Sequence, residues 1–280
     1  MSRVQVYVVK HRDEGLKKAV NFLNERKFLD GSELFVEIPS FFNGSVGASD
    51  LYKNTKVVPT HYIPLILNGS GSFHHLTYAF CRKIVDKREK ESEHPGTYTI
   101  LHIDQHSDGA LTPKKFTRSI IECGHFYPKL LFDSPYAQAV CYLTDPVPSL
   151  INSIFHRPKA VLFSLNEKGK VNIFDYKISN PSEAAEKILE KINGKKVFVS
   201  LDLDVLATEY VNTDHGNGKM KLEFLLEMLD GLGGKINPVG ADICGLKRNG
   251  NVGTVFDPKS VGSLETYEAA SHALHKLLES

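Results

Sequence analysis

Residues 101–109 read LHIDQHSDG, placing Asp104, His106 and Asp108 in one short run directly after the apolar TYTIL. Alternate residues of an extended backbone point to one face, so this spacing aims two carboxylates and an imidazole to the same side. A second run, KVFVSLDLDV at 196–205, ends on Asp202 and Asp204 with the same i, i+2 spacing. Four carboxylates gathered in a small volume repel, and burying even one unpaired charge costs several kcal/mol. Two divalent cations carry the four compensating charges. A mixed set of carboxylate oxygens and imidazole nitrogens suits Mn²⁺ or a similar hard to borderline ion rather than a thiolate-loving one. No cysteine falls within either run. A lone D-x-H-x-D is common on surface loops; joined to a second D-x-D at another strand end, it reads as half of a two-metal site. NGSGSFHHLTYAF, residues 68–80, offers His74 and His75 where a loop enters a helix, and either could complete the ligand shell.

The elements that must position these residues have the pattern of a parallel sheet. VQVYVV (4–9), TYTILHID, AVLFSL (160–165), KVFVSLDLDV and INPVGADICGL (236–246) are apolar runs of strand length without strict alternation. Such runs, separated by helices, fit strands covered on both faces. Helices are expected after residue 13, over about 74–90, in PSEAAEKILEKING and KLEFLLEMLDGLGG, and in the closing ETYEAASHALHKLLES. Residues 28–73 are rich in Gly, Ser, Pro and Asn around strand-like ELFVEI and VVPTHYIPLIL, and are expected as loops at a site. The charged DKREKESEHPG is a solvated helix end. There is no internal repeat or low-complexity tract, and one α/β domain over residues 1–280 is expected. Both acidic runs then lie at the carboxyl ends of strands, where open α/β sheets bind ligands.

Bulk properties exclude several function classes. Thirty-four Lys and Arg against thirty-three Asp and Glu leave a formal charge of +1, which gives no field for gripping nucleic acid or an anionic membrane. No apolar run approaches the roughly 20 residues of a membrane span, and the first apolar stretch is too short for a signal peptide. Four cysteines without C-x-x-C spacing point to a reduced, cytoplasmic protein.

The motifs resemble those of the ureohydrolases: arginases, agmatinases and formiminoglutamases. HIDQHSD is similar to their D-A-H-x-D, SLDLDVL to S-x-D-x-D, and GSFHHL to G-G-D-H-S, which sets His74 on the motif histidine and His75 on its serine. GHF at 124–126 is similar to a short segment carrying a histidine near the substrate; GNGKMKLEFLLEML and PVGADICGL resemble the following Gly-rich turn and strand. The resemblance covers roughly residues 60–280 in the same order. It implies a three-layer α/β/α fold with a mostly parallel sheet of about eight strands. It also implies a binuclear manganese site whose bridging hydroxide attacks a guanidinium or amidine carbon. By the same resemblance His74, Asp104 and Asp108, with Asp204 or Asp202, would hold or bridge one ion, and His106 with the remaining aspartates the other. His125 would pass a proton to the leaving amine. Asp108 is placed to accept a hydrogen bond from the hydroxide. The expected partner is a small-molecule or peptide substrate. Relatives are often trimers or hexamers, so a homo-oligomer is expected as well.

Three departures bear on the substrate. The family's D-x-x-E strand, whose glutamate clamps the guanidinium, here reads ADICG, with Gly245 in place of the glutamate and only Asp242 retained. Ala207 and Thr208 stand where a D-P follows S-x-D-x-D-x-x, and IIEC replaces the S-G-N that helps hold a free amino acid. The metal ligands are thus kept and the substrate clamps are not, which disfavours free arginine and leaves room for arginine within a peptide. Asp242 and Glu122 are candidate contacts for a basic substrate. Two other readings compete. HIDQHSDG also resembles the D-x-D-x-H-H-G-D-G of zinc deacetylases, although its second aspartate comes two residues after the histidine rather than three, and six candidate ligands exceed a mononuclear site. A metal-binding protein without catalysis is the other.

Overall fold

The computed structural model describes residues 4–10, 14–37, 46–57, 61–106, 120–121, 126–143, 171–174, 180–192, 196–247 and 260–280. Its centre is an eight-stranded sheet built from β1 (Val4–Lys10), β2 (Leu34–Glu37), β4 (Ile63–Leu67), β5 (Tyr98–Asp104), β7 (Ala137–Leu143), β8 (Val171–Phe174), β9 (Lys196–Asp202) and β10 (Asn237–Cys244). The strand order is β2-β1-β4-β10-β9-β5-β7-β8, and every pairing is parallel. Two-residue strands β3 (Val46–Gly47) and β6 (Ile120–Ile121) form a separate antiparallel pair.

All seven residues of β5 are buried, as are the last six of β9. That explains why their apolar residues do not alternate with polar ones, since a parallel sheet is covered on both faces. One covering layer is α1 (Glu14–Glu25), α6 (Pro181–Ile192), α7 (Leu222–Leu232) and α8 (Ser260–Glu279). In α6 the buried stripe is Ala184, Ala185, Ile188 and Ile192; in α7 it is Leu225, Met228, Leu229 and Leu232. Both follow the helical period. The other layer holds α2 (Ala48–Asn54), α3 (Leu76–Phe80), α4 (Asp86–Glu91) and α5 (Phe126–Asp133). The helix expected over 74–90 is divided: α3 and α4 are joined by a π turn, Cys81–Val85. The wider turn re-phases the helix, so that the acidic Asp86 and Glu89 of α4 become buried.

The strands expected at 4–9, 97–104, 196–205 and 236–246 all form, the third ending three residues early. AVLFSL lies outside the described residues. Among the described residues, no helix is long and apolar enough to cross a membrane.

Candidate metal centre

β5 and β9 are neighbours in register, Ile103 opposite Leu201, so Asp104 and Asp202 come side by side at the carboxyl edge. Both strands stop there. Beyond Asp202 the chain does not stay extended: Leu203–Val205 is a 3₁₀ turn, capped by Asp202 Oδ1 accepting from Asp204 N at 3.0 Å. The turn swings Asp204 back over β5, where its Oδ1 accepts from Gln105 N at 3.1 Å and its Oδ2 lies 2.8 Å from His106 Nδ1. His106 N in turn donates to Asp104 Oδ1 at 2.5 Å. The carboxylates therefore converge as expected, but through a capped turn rather than through strand alternation.

The His74 side is built by a loop. Ser70 Oγ accepts from Ser72 N at 3.0 Å and starts the 3₁₀ turn Gly71–Phe73. A Cβ on Gly71 would sit 2.7 Å from Asp202 Oδ2, so a glycine is what lets this backbone lie against the carboxylate. His74 Nδ1 is 3.3 Å from Asp104 Oδ2 and 3.5 Å from Asp202 Oδ2, while its Nε2 is 2.8 Å from Ser200 Oγ. His74, not His75, thus meets the carboxylates. Phe126 covers the His74 and His102 rings at centroid distances of 4.6 and 5.6 Å.

Two donors join that the acidic motifs did not include. His102 Nε2 is 3.4 Å from Asp104 Oδ2, and the Cys244 thiol donates to Asp202 Oδ2 at 3.3 Å. The ligand atoms fall into three groups, each within 4.8 Å of one another: His74, His102 and Asp104; His74, Asp202 and Cys244; and Asp104, His106 and Asp204. His74 and Asp104 are each shared between two groups.

Burial dominates the electrostatics. It pushes the Asp202 carboxyl up to about 6, helped by the adjacent Asp204 charge, and pushes Asp204 up to about 6, helped by Asp104. Burial, then the neighbouring His74, drives His102 well below the ordinary imidazole range. Among the described residues no lysine or arginine forms an ion pair with Asp202 or Asp204; their ion-pair partners are imidazoles. Dry carboxylates clustered with imidazoles are a donor set that fits divalent cations. The His106 side chain is 42% exposed whereas those of Asp104 and Asp204 are 1% and 3% exposed, so the cluster reaches solvent on the His106 side.

Five of the expected site residues, His74, Asp104, His106, Asp202 and Asp204, are brought together. Asp108 and His125 lie outside the described residues, as does Glu122. Asp242 is fully buried on β10, its Oδ2 accepting from Thr77 Oγ1, and burial pushes it up to about 6. At Gly245 φ is +106°, and an added Cβ would lie against Asp202 Oδ1 and 2.6 Å from Leu203 N. A backbone this close to Asp202 leaves no room for a side chain at 245. The loop after the 3₁₀ turn folds back, Gly218 N donating to Asp204 O at 2.6 Å, and sets the exposed His215 with Nε2 3.0 Å from Ser72 Oγ. His215 carried no motif to mark it.

No family model matches the chain. An uncharacterized protein of Thermotoga maritima is 26% identical over 189 residues, 68% of this chain; the chain spans 60% of that relative's length. Among solved structures, the proclavaminate amidino hydrolase of Streptomyces clavuligerus superposes with a TM-score of 0.61 at 16% identity, covering 99% of this chain and 91% of that one. The arginase of Bacillus caldovelox gives 0.62 at 13% identity, with 98% of each chain covered. The formimidoylglutamase of Bacillus subtilis gives 0.57 at 14%, covering 99% of this chain and 87% of that one. With the parallel eight-stranded sheet and its two helical layers, these likenesses show that the chain has an arginase-like fold.

Proposed function

We propose that the protein is a binuclear-metal hydrolase that cleaves a C–N bond of a guanidino, amidino or related substrate, peptidyl arginine included. The observation that carries this reading is that the Asp104 carboxylate belongs to two adjacent donor groups, as a carboxylate serving two neighbouring ions would. The solved structures of the same fold bear names of amidino- and guanidino-type hydrolases, which supports the reaction class.

Two bound divalent cations would supply the charge that brings a water's pKa towards neutrality and stabilises a tetrahedral arrangement at the attacked carbon. The chain's residues do the rest. Asp104, His106 and Asp204 form an oxygen-rich locus suited to Mn²⁺, and His74 with Asp202 anchors the other. Ser200 at His74 Nε2 fixes that ring so that Nδ1 faces the carboxylates. Asp108 would accept a hydrogen bond from the attacking water, and His125, an imidazole with an ordinary value near 6.5, would give a proton to the departing amine. With glycine at 245 no side chain at that position clamps a guanidinium, and the substrate class proposed therefore includes arginine within a peptide.

The test is metal content together with turnover. The stripped full-length protein, reloaded with Mn²⁺, is expected to hold two ions per chain and to release urea or amine from at least one compound in a panel of guanidino, formimino and peptidyl-arginine substrates. One zinc per chain would instead favour a deacetylase-like enzyme. Two ions with silence across the panel would favour the non-catalytic metal protein that the loss of the glutamate suggests.

A further inference from the structure

Residues paired across parallel strands point to the same face of a sheet. At the carboxyl edge Cys244 is paired with Asp202, and one step below Asp242 is paired with Ser200, itself paired with His102. The ladder continues past β4, with Asn68 N donating to Ile243 O at 2.9 Å, which sets Asn68 beside Cys244 on the side away from Asp202. Asn68, Cys244, Asp202 and Asp104 thus form one polar row across four neighbouring strands, and His74 leans over it from the loop.

We propose that Cys244 is a metal ligand: the ion held by His74 and Asp202 also takes the Cys244 thiolate. This rests on the reading of the carboxylate cluster as a metal centre. Two ligands of one tetrahedral ion lie about 3.4–3.6 Å apart, given metal–sulfur and metal–nitrogen bonds of about 2.3 and 2.0 Å. Cys244 Sγ is 3.3 Å and His74 Nδ1 is 3.5 Å from Asp202 Oδ2, and the ligand atoms of all three residues lie within 4.8 Å of one another, a spread that one ion can gather with small side-chain shifts. Asn68 supplies a second, independent observation. It is fully buried, and neither its Oδ1 nor its Nδ2 has a hydrogen-bond partner among the described residues. An amide left so is costly. Its place beside Cys244 in the row puts a buried amide with unused polar capacity among the described residues next to the proposed ligand.

The proton balance is simple. The thiol proton now shared with Asp202 Oδ2 leaves for solvent when the sulfur binds the cation, so metal uptake releases a proton that a serine would keep. A thiolate, an imidazole and a carboxylate favour a Zn²⁺- or Co²⁺-like ion, whereas the Asp104, His106 and Asp204 locus favours a harder one. The two positions of the pair would thus differ in metal preference.

Cobalt titration of the stripped, full-length protein tests this. Bound Co²⁺ is expected to develop the near-ultraviolet thiolate-to-cobalt absorption, which is lost in Cys244→Ser and kept in Cys81→Ser. Preference for Zn²⁺ over Mn²⁺ should shrink by about tenfold or more in Cys244→Ser, with one proton fewer released per ion. Cobalt retained on equilibrium dialysis without that band in the unsubstituted protein overturns the assignment, and needs no variant to fold. A band surviving in Cys244→Ser overturns it too. Failure to retain cobalt at all removes the metal centre itself, and the thiolate with it.

Discussion

Buried acids lie near both ends of strands β5 and β9, and the two ends treat them differently. At the amino end, Asp86 accepts from Arg82, from Tyr98 Oη at 2.9 Å and from Ser134 Oγ at 2.8 Å. Glu89 pairs with Lys196 Nζ at 2.6 Å and accepts from Gly96 N at 2.9 Å. Tyr98 and Lys196 are the first residues of β5 and β9. At the carboxyl end of the same strands, Asp202 and Asp204 meet imidazoles, amides and a thiol, and their ionised forms are penalised. A buried charge matched by its own chain is a structural device; one left short of cations is a demand for a ligand.

The sharpest way to break this contrast is at the matched end. Asp86→Ala strands Arg82 and removes the acceptor that ties α4 to the start of β5 and to the turn before β7. It should cost about 4 kcal/mol of stability in denaturant unfolding and leave divalent binding unchanged. A loss of metal affinity in a still folded variant would mean that the two ends are coupled.

The unmatched end should respond in the opposite direction. Asp202→Asn keeps the oxygen that caps the 3₁₀ turn and deletes a charge whose folded pKa, pushed up to about 6, exceeds the ordinary 3.8 of an aspartate. The metal-free variant should gain about 3 kcal/mol near pH 7 while losing about 100-fold in divalent affinity. The same asymmetry sets a pH dependence. Asp202, Asp204 and Asp242 bind more protons folded than unfolded between 3.8 and about 6, so their contribution to metal-free stability falls as pH rises through that window. His102, lowered below 6.5, acts with the opposite sign, as one group against three. The metal-free protein should therefore melt higher near pH 5 than near pH 7, and saturating divalent cation should reverse the order. A metal-free melting point that rises with pH would show that these carboxylates are compensated already.

The aspartates at this end were legible because charge at the end of an apolar strand has no bland explanation when it occurs twice. His102 and Cys244 were not. Each sits within an otherwise apolar run, LHID and ADIC, where a lone imidazole or thiol reads as core. Only the strand order, which lays β10 against β9, brings Cys244 to Asp202 across 42 residues of sequence. Strand β7, AQAVCYL, carried too mixed a pattern to stand out, and α2 forms inside a stretch whose Gly, Ser and Asn content argued for loop. Alternation led to the right neighbours for Asp204 by the wrong route, because side-chain capping by Asp202 turned the chain before the next extended residue.

Gly245 sharpens the comparison at its smallest scale, because a second glycine separates backbone strain from collision with the site. Gly31, between α1 and β2, has φ +88° with nothing within 4 Å of an added Cβ, whereas Gly245 has φ +106° with Asp202 and Leu203 in the way. Alanine at 31 should cost about 1 kcal/mol, the penalty of a left-handed backbone alone. Alanine at 245 should cost about 2 kcal/mol or more, and the excess has a local origin: the new methyl presses on the Leu203 backbone and on the Asp202 carboxylate that caps the 3₁₀ turn. Divalent affinity should then fall about tenfold at 245 and stay unchanged at 31. Equal costs at both positions, with metal binding intact, would mean that Asp202 moves aside freely. The absence of a glutamate at 245 would then be a matter of substrate choice rather than of space.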